Sequence, residues 1–463
     1  MSIQEVMQRI AQHGAVAEVE SALARAEASG QYNVFLHIAY DRARARAKQV
    51  EAGELTGKLA GVPFAVKDNF LHVDGATTAA SDMLKNFVAP LQAEAVERLE
   101  AEGAICIGAV NLDAFAHGGS TENSAFGVTK NAIDATRVAG GSSGGSAVAV
   151  ALDIVPFTLG TDTGGSIRQP ASFNGVVGIK PTYGAVSRYG VVAMASGTDT
   201  IGVLSATVQD TEMVMSIIAG QDTKDMTTLP DFFVPQAQPT GAKKLAVIKE
   251  FMTDGVDDGV KQVVQQAIEA YRAHGYEVEE VSMPMLKYAL AIYYVIVPAE
   301  ISSNLSRYDG VRYGVRASDA MTLDAVYKKS RAAGFTAENK RRIMIGNYVL
   351  SSGYFDAYYQ KAQKARTLLI DEFSKVLAKY DALIGPVAPT TAFAIGSKTN
   401  DPLTMYLEDV MTVPASLAGL PAVSVPAGLA DGLPVGVQLI GKQKHDAELL
   451  AIARLLEGVA DES

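Results

Sequence analysis

Cysteine is almost absent from this 463-residue chain: Cys106 stands alone. A single thiol forms no internal disulfide, which agrees with a reducing compartment, and its place in the apolar segment 104–110 suits a buried core thiol better than a nucleophile. Positive charge is also scarce. Forty Lys and Arg face 51 Asp and Glu, for a net charge of −11 and a pI near 5.2. That balance excludes a protein that grips nucleic acid alone through a basic field, so any RNA would be held mainly by a partner. The one basic run, Arg42 to Lys48, alternates with alanine and reads as a solvated helix face. The start MSIQEVMQRIAQHG lacks a basic and then apolar leader, and the long apolar run beginning at Ala147 is broken by Asp153 and Pro156. A cytoplasmic location with no membrane contact is the expectation.

What is present is core-forming. At 48% hydrophobic and 20% charged, the chain can bury a large interior. Residues 2–52 read as two or three helices punctuated at Gly14 and Gly30. A strand over Val62–Val66 is followed by a loop carrying Lys67, Asp68 and Asn69. A helix over Gln92–Glu102 stops at Gly103, and a strand follows over Ala104–Val110. The same rhythm recurs at Leu245–Ile248, Asp258–His274 and Glu277–Val281, with Val260, Val263, Val264 and Ile268 on the helix's apolar face. Gln221–Lys244, polar and proline-bearing, reads as a long surface excursion. No internal repeat is visible. These patterns predict one large α/β domain over 1–463, with N-terminal helices to 52, a core over 53–220, a less regular subregion over 221–400 and a return to the core over 401–463.

Two Gly/Ser loops, Gly140 to Ser146 and Thr163 to Ser166, bracket the apolar run Ala147 to Leu159. Flexible linkers do not sit between segments that must be buried. The first loop matches G-x-S-x-G around Ser143, a short pattern that is as often a turn as a nucleophile elbow. It is no phosphate loop, since no Lys-Ser or Lys-Thr pair follows. Were Ser143 the nucleophile, its base would be His274 or His445, both in surroundings that suit surface residues. Lys67 lies 75 residues before Ser142 (142 − 67), and Ser166 lies 24 after it (166 − 142). A lysine serves as base only when neutral, which burial beside an apolar strand favours. Asp68 would oppose this and is expected to point away. Ser143 and Ser146 read as capping or turn serines.

Lys67, Ser142 and Ser166, set in G-G-S-S-G-G-S and D-T-G-G-S-I-R-Q-P, resemble the amidase signature family. The resemblance implies a mixed β-sheet covered by helices on both faces and a Ser-cisSer-Lys triad. In it Ser166 forms the acyl-enzyme, Ser142 relays the proton and Lys67 is the base. The N–H groups of Thr163, Gly164, Gly165 and Ser166 would form the oxyanion hole, because glycine admits the close backbone approach that such a hole needs.

Later blocks, among them Ser120 to Gly127, Lys180 to Gly184, Ser302 to Gly310, Lys340 to Ile343 and Asp401 to Tyr406, extend the resemblance to family members that act as the glutaminase subunit of tRNA-dependent amidotransferases. This implies glutamine as ammonia donor. Its zwitterionic end needs a cation and an anion, for which the matching positions are Arg342 and Asp409, with Tyr293, Gly118 and Gly119 beside them. It also implies the B and C subunits of the amidotransferase as partners, aminoacyl-tRNA contacted through the complex, and ATP and magnesium on the partner rather than here. No cofactor or metal is expected in this chain itself. Two other readings stay open, a stand-alone amidase acting on a small amide and a non-catalytic scaffold subunit. Asp113 to His117 departs from the family's commoner Asp-Glu-Phe-Ala-Met, so His117 is a residue to watch.

Overall fold

The apolar segments pair into a single sheet. A computed structural model of the protein describes residues 1–239, 241–399 and 401–457. The last residues of the 401–463 stretch, and position 240 within the surface excursion, lie outside these. The strands are β1 (Phe35–Ile38), β2 (Pro63–Lys67), β3 (Ile105–Val110), β4 (Phe157–Asp162), β5 (Val177–Lys180), β6 (Thr200–Ser205), β7 (Lys244–Ile248), β8 (Glu277–Val281), β9 (Ala382–Pro386), β10 (Ala422–Ala430) and β11 (Leu433–Gly441). They form one eleven-stranded sheet in the order β1-β3-β2-β4-β6-β5-β10-β11-β9-β7-β8. β2 runs parallel to β3 and β4, and β7 parallel to β8 and β9, while the strands between are antiparallel. The architecture is a mixed α/β sheet covered by helices on both faces.

The central strands read as continuous apolar runs because both faces are covered. Every residue of β2, β3, β4 and β6 is buried. The helix Gly144–Ala151, made of small residues, packs on β2, β3 and β4. The helix Asp258–Ala273 buries Val260, Val263, Val264 and Ile268 as its spacing predicts. Within Gln221–Lys244, no helix or strand forms among the described residues before β7. β1 is an element the sequence did not announce: its four residues are half-buried, so no strong alternation marks it.

Two expectations change, and one further helix needs its surroundings to be read. Lys67 is the last residue of β2 rather than part of the following loop, because it still pairs with Val110 of β3. The basic run is not a freely solvated face. Arg42 pairs with Glu100 and with Asp74, Arg44 pairs with Glu20, and Ala43 and Ala47 are buried between them. The arginines thus flank the alanine stripe and tie the helix Tyr40–Glu51 to its neighbours on either side of it. Finally, the helical stretch Pro284–Arg307 is long and apolar enough to cross a membrane. Here it is a core helix: Ile292, Tyr293, Ile296, Val297 and Ile301 are buried, and the helix Ala337–Leu350 packs along it.

Candidate active site

Ligand sites in α/β sheets gather at the carboxyl ends of strands, and two neighbouring parallel strands deliver the chemistry here. β2 ends in Lys67 and β4 runs into Asp162-Thr163-Gly164-Gly165-Ser166. Ser142 enters from the turn that starts the helix Gly144–Ala151, after a cis Gly141–Ser142 peptide bond. The Lys67 Nζ lies 2.7 Å from Ser142 Oγ and 2.8 Å from Thr161 Oγ1, with no solvent exposure. Burial brings its pKa down to about 7, against the pull of the carboxylates of Asp113, Asp162 and Asp199. Asp68 turns away: its Oδ2 accepts from the backbone N–H and the hydroxyl of Thr78.

Lys180 is also fully buried, with a pKa lowered by burial to about 7, but its Nζ donates to the Pro181 carbonyl, which accepts and cannot pass a proton on. A hydroxyl partner is therefore what separates Lys67 from an ordinary buried lysine. Thr161 was not anticipated. It precedes Asp162 on β4, and only the parallel pairing of β2 with β4 brings it to the amine.

The loop after β4 is built on Asp162. Its carboxylate accepts from the N–H of Gly165 at 2.9 Å and of Ile167 at 3.3 Å, and it holds the guanidinium of Arg168 with two bonds of 2.9 Å. Burial alone would raise this carboxyl, but the Arg168 charge prevails and keeps it below the ordinary range. Arg168 in turn reaches Gln438 of β11 and the Thr412 carbonyl. Because the pair is fully buried, replacing Arg168 with Met leaves an uncompensated charge. We expect a loss of about 3–5 kcal/mol, read as a lower midpoint in thermal or urea unfolding.

Of the four expected oxyanion donors, Gly165 is therefore committed elsewhere. The N–H groups of Thr163, Gly164 and Ser166 have no protein acceptor among the described residues. Gly165 has φ +143°, and a β-carbon there would run into Thr412. That side chain caps the loop by donating to the Gly164 carbonyl at 2.6 Å. The Ser166 hydroxyl likewise forms no hydrogen bond among the described residues, and the residue is 9% exposed. Ser143 Oγ instead donates to the Thr161 carbonyl and Ser146 Oγ to that of Leu159. His274 and His445 are both exposed, bonded to Ala270 and Glu448 within their own segments, and neither is joined to Ser143.

Arg342 and Asp409 line one cavity of ≈ 130 Å³ together with Gly118 and Gly119. Arg342, 4% exposed, lies over the rings of Tyr294 and Tyr406 at 5.1 Å and donates through Nε to Glu338 at 2.8 Å. Asp409 accepts from the Tyr294 hydroxyl at 2.9 Å, and burial raises its pKa to about 7. The sequence pointed to Tyr293. Tyr294 touches both charged groups, and Tyr293 beside it packs on the Gly164 backbone, leaving no room for a β-carbon there. Glu338, four residues before Arg342 on one helix, was legible as an i, i+4 pair but not as part of a site.

Gln169, three residues past Ser166, ties the loops together. Its Oε1 accepts from Gly141 N–H at 2.9 Å and its Nε2 donates to the Gly119 carbonyl at 2.9 Å. Asp113 accepts from the N–H groups of Ser120, Thr121 and Asn123, and Gly141 packs so closely on it that no side chain would fit.

A buried lysine hydrogen-bonded to a serine, beside a glycine loop with free amides and a second serine, is the arrangement of a protein that handles acyl groups. A family model described as Amidase matches residues 17–450, and the chain belongs to that family. It is 53% identical over 418 residues to the A subunit of the glutamyl-tRNA(Gln) amidotransferase of Latilactobacillus sakei, covering 89% of this chain and 86% of that protein. To its counterpart in Symbiobacterium thermophilum it is 51% identical over 449 residues, covering 95% and 92%. The crystal structure of the A subunit of glutamyl-tRNA(Gln) amidotransferase from Thermotoga maritima superposes with a TM-score of 0.83 at 39% identity, covering 99% of this chain and 95% of that one.

Proposed function

We propose that this chain is the glutaminase subunit of a tRNA-dependent amidotransferase. It hydrolyses glutamine through an acyl-enzyme and supplies the ammonia that converts glutamyl-tRNA(Gln) to its amide. The observation that carries the reading is the Lys67 amine, brought by burial to a pKa near 7 and held 2.7 Å from Ser142 Oγ. A neutral amine there takes the proton of Ser142 Oγ, which takes that of Ser166. The Ser166 oxygen then bonds to the carboxamide carbon, and the carbonyl electron pair moves onto its oxygen, toward the free N–H groups of the loop. Collapse breaks the carbon–nitrogen bond, and the proton on Lys67 returns through Ser142 to the leaving nitrogen, giving ammonia. Water, deprotonated along the same route, releases glutamate and restores Ser166.

Arg342 would bind the α-carboxylate and Asp409 the α-ammonium of glutamine. Relatives that are about half identical over most of their length support the amidotransferase reading as a whole. ATP and magnesium would be held by the partner B subunit, with the small C subunit completing a cytoplasmic complex.

The test is ammonia release from glutamine and from simple amides, with and without the B and C subunits. Partner-stimulated release selective for glutamine supports the reading. Steady turnover of plain amides without partners points to a stand-alone amidase, and binding of the partners without any acyl-enzyme points to a scaffold. In the same assay Arg342→Gln should raise KM for glutamine roughly 10- to 100-fold, the worth of charge-assisted bonds to a carboxylate. Turnover of an amide without an α-carboxylate should change little.

A further inference from the structure

His117 is fully buried, and its imidazole lies by the backbone carbonyls of Ala114 and Phe115. Nδ1 faces the Ala114 carbonyl at 3.3 Å, while Nε2 is buried without any hydrogen-bond partner. A carbonyl oxygen can only accept, so Nδ1 carries the proton and Nε2 presents a lone pair. Burial, together with the nearby Arg342 charge, lowers the ring's pKa to about 3, so the imidazole stays neutral. An orphaned buried acceptor is costly and calls for a donor.

The surroundings offer a candidate. Asn339 Nδ2 donates at 2.9 Å to the same Ala114 carbonyl that His117 faces. Arg342 lies one helical turn beyond Asn339, on the same side of the helix Ala337–Leu350. Gly118 and Gly119, which follow His117 directly, line the cavity that Arg342 lines. Among the described residues the only hydrogen-bond acceptor on Arg342 is Glu338 at its Nε; the two terminal nitrogens have none. A guanidinium held at one atom and stacked on two rings can still tilt. A second acceptor fixes its plane.

We propose that His117 is a positioning residue of the carboxylate site: its Nε2 accepts an N–H of the Arg342 guanidinium as a ligand carboxylate draws that side chain inward. The remaining terminal N–H pair is then presented edge-on to the ligand. A neutral acceptor serves better than a second carboxylate, because it orients the cation without competing with the ligand for its charge. The inference rests on the proposed glutamine site and adds a determinant of its selectivity.

The test compares wild type, His117→Leu and His117→Gln in the presence of the partner subunits. Leucine keeps the volume and removes the acceptor; glutamine places an oxygen near the Nε2 position. Leucine should raise KM for glutamine about tenfold, the cost of one hydrogen bond to a charged group, with kcat within about twofold. KM for an amide lacking an α-carboxylate should stay unchanged, and His117→Gln should restore most of the loss. Equal effects of leucine on both amides, or no effect on either, would overturn the proposal. Calorimetric binding of glutamate, the product, reads the carboxylate site without turnover. About tenfold weaker binding to the leucine variant alone supports the role even where wild type proves not to prefer glutamine, an outcome that would sink the functional reading instead. Equal glutamate affinity in all three proteins refutes it.

Discussion

Ser166→Ala is expected to lower glutamine-dependent ammonia release by about 10⁴-fold or more, the scale seen when the nucleophile of an acyl-transfer site is removed. The residue's neighbours explain why the effect should be near total. The Ser166 hydroxyl forms no bond to the protein among the described residues, whereas those of Ser143 and Ser146 already donate to main-chain carbonyls of β4. Neither can substitute without breaking its own anchor. The substitution removes one oxygen from a loop whose shape is set by Asp162, so folding should be untouched. Intact-mass analysis with a slow substrate or an electrophilic inhibitor gives the second readout: the covalent adduct should form in wild type and in Ser143→Ala, and vanish in Ser166→Ala. Loss of activity in Ser143→Ala with retention in Ser166→Ala would move the nucleophile to the G-x-S-x-G loop and overturn the mechanism.

Lys67→Arg should be nearly as damaging, by about 10² to 10⁴-fold in kcat/KM, the usual worth of a general base. Arginine keeps the positive charge and donor capacity, yet it stays protonated at every accessible pH. It therefore tests proton transfer rather than packing. The wild-type pH profile carries the same signature. Since the amine acts when neutral and its pKa is about 7, kcat/KM should rise tenfold per pH unit below that value and level off above it. Asp409, raised by burial to about 7, must be ionised to hold an ammonium and bends the profile for glutamine in the same direction. An amide without an α-amino group isolates the lysine: its profile should keep one ionisation near 7. A flat profile from pH 5 to 9 on such a substrate would show that Lys67 is not the titrating base.

Much of this is readable without any coordinates. Strand and helix alternation marks β3, β7 and β8 with little error, because each is bounded by a glycine or a turn; β3 and β7 are apolar and buried, and β8 is the edge strand with Val278 and Val281 half-buried. The Lys67, Ser142 and Ser166 set stands out through the resemblance of G-G-S-S-G-G-S and D-T-G-G-S-I-R-Q-P to the amidase family. The need for a neutral amine requires the carboxylate of Asp68 to turn away from Lys67, and it does. Other features depend on where distant segments meet. The basic run looks solvent-facing because its partners Glu20, Asp74 and Glu100 lie far along the chain. The long apolar helix Pro284–Arg307 looks by composition as fit for lipid as for a protein core, and only the helices packed around it decide the matter.

The linear order of residues thus determined the kind of chemistry, an amine and two hydroxyls among small residues, and the class of fold that holds them. Tertiary structure alone decided which donors and acceptors are spoken for. It joins Arg168 to Gln438, brings Thr161 to the lysine, and sets Tyr294 between Arg342 and Asp409. The physical reason is that local sequence sets hydrophobic period and backbone freedom over a few residues, whereas hydrogen-bond satisfaction and desolvation at these positions are settled between segments far apart in the chain, where strand pairing and helix packing rather than pattern make the contact.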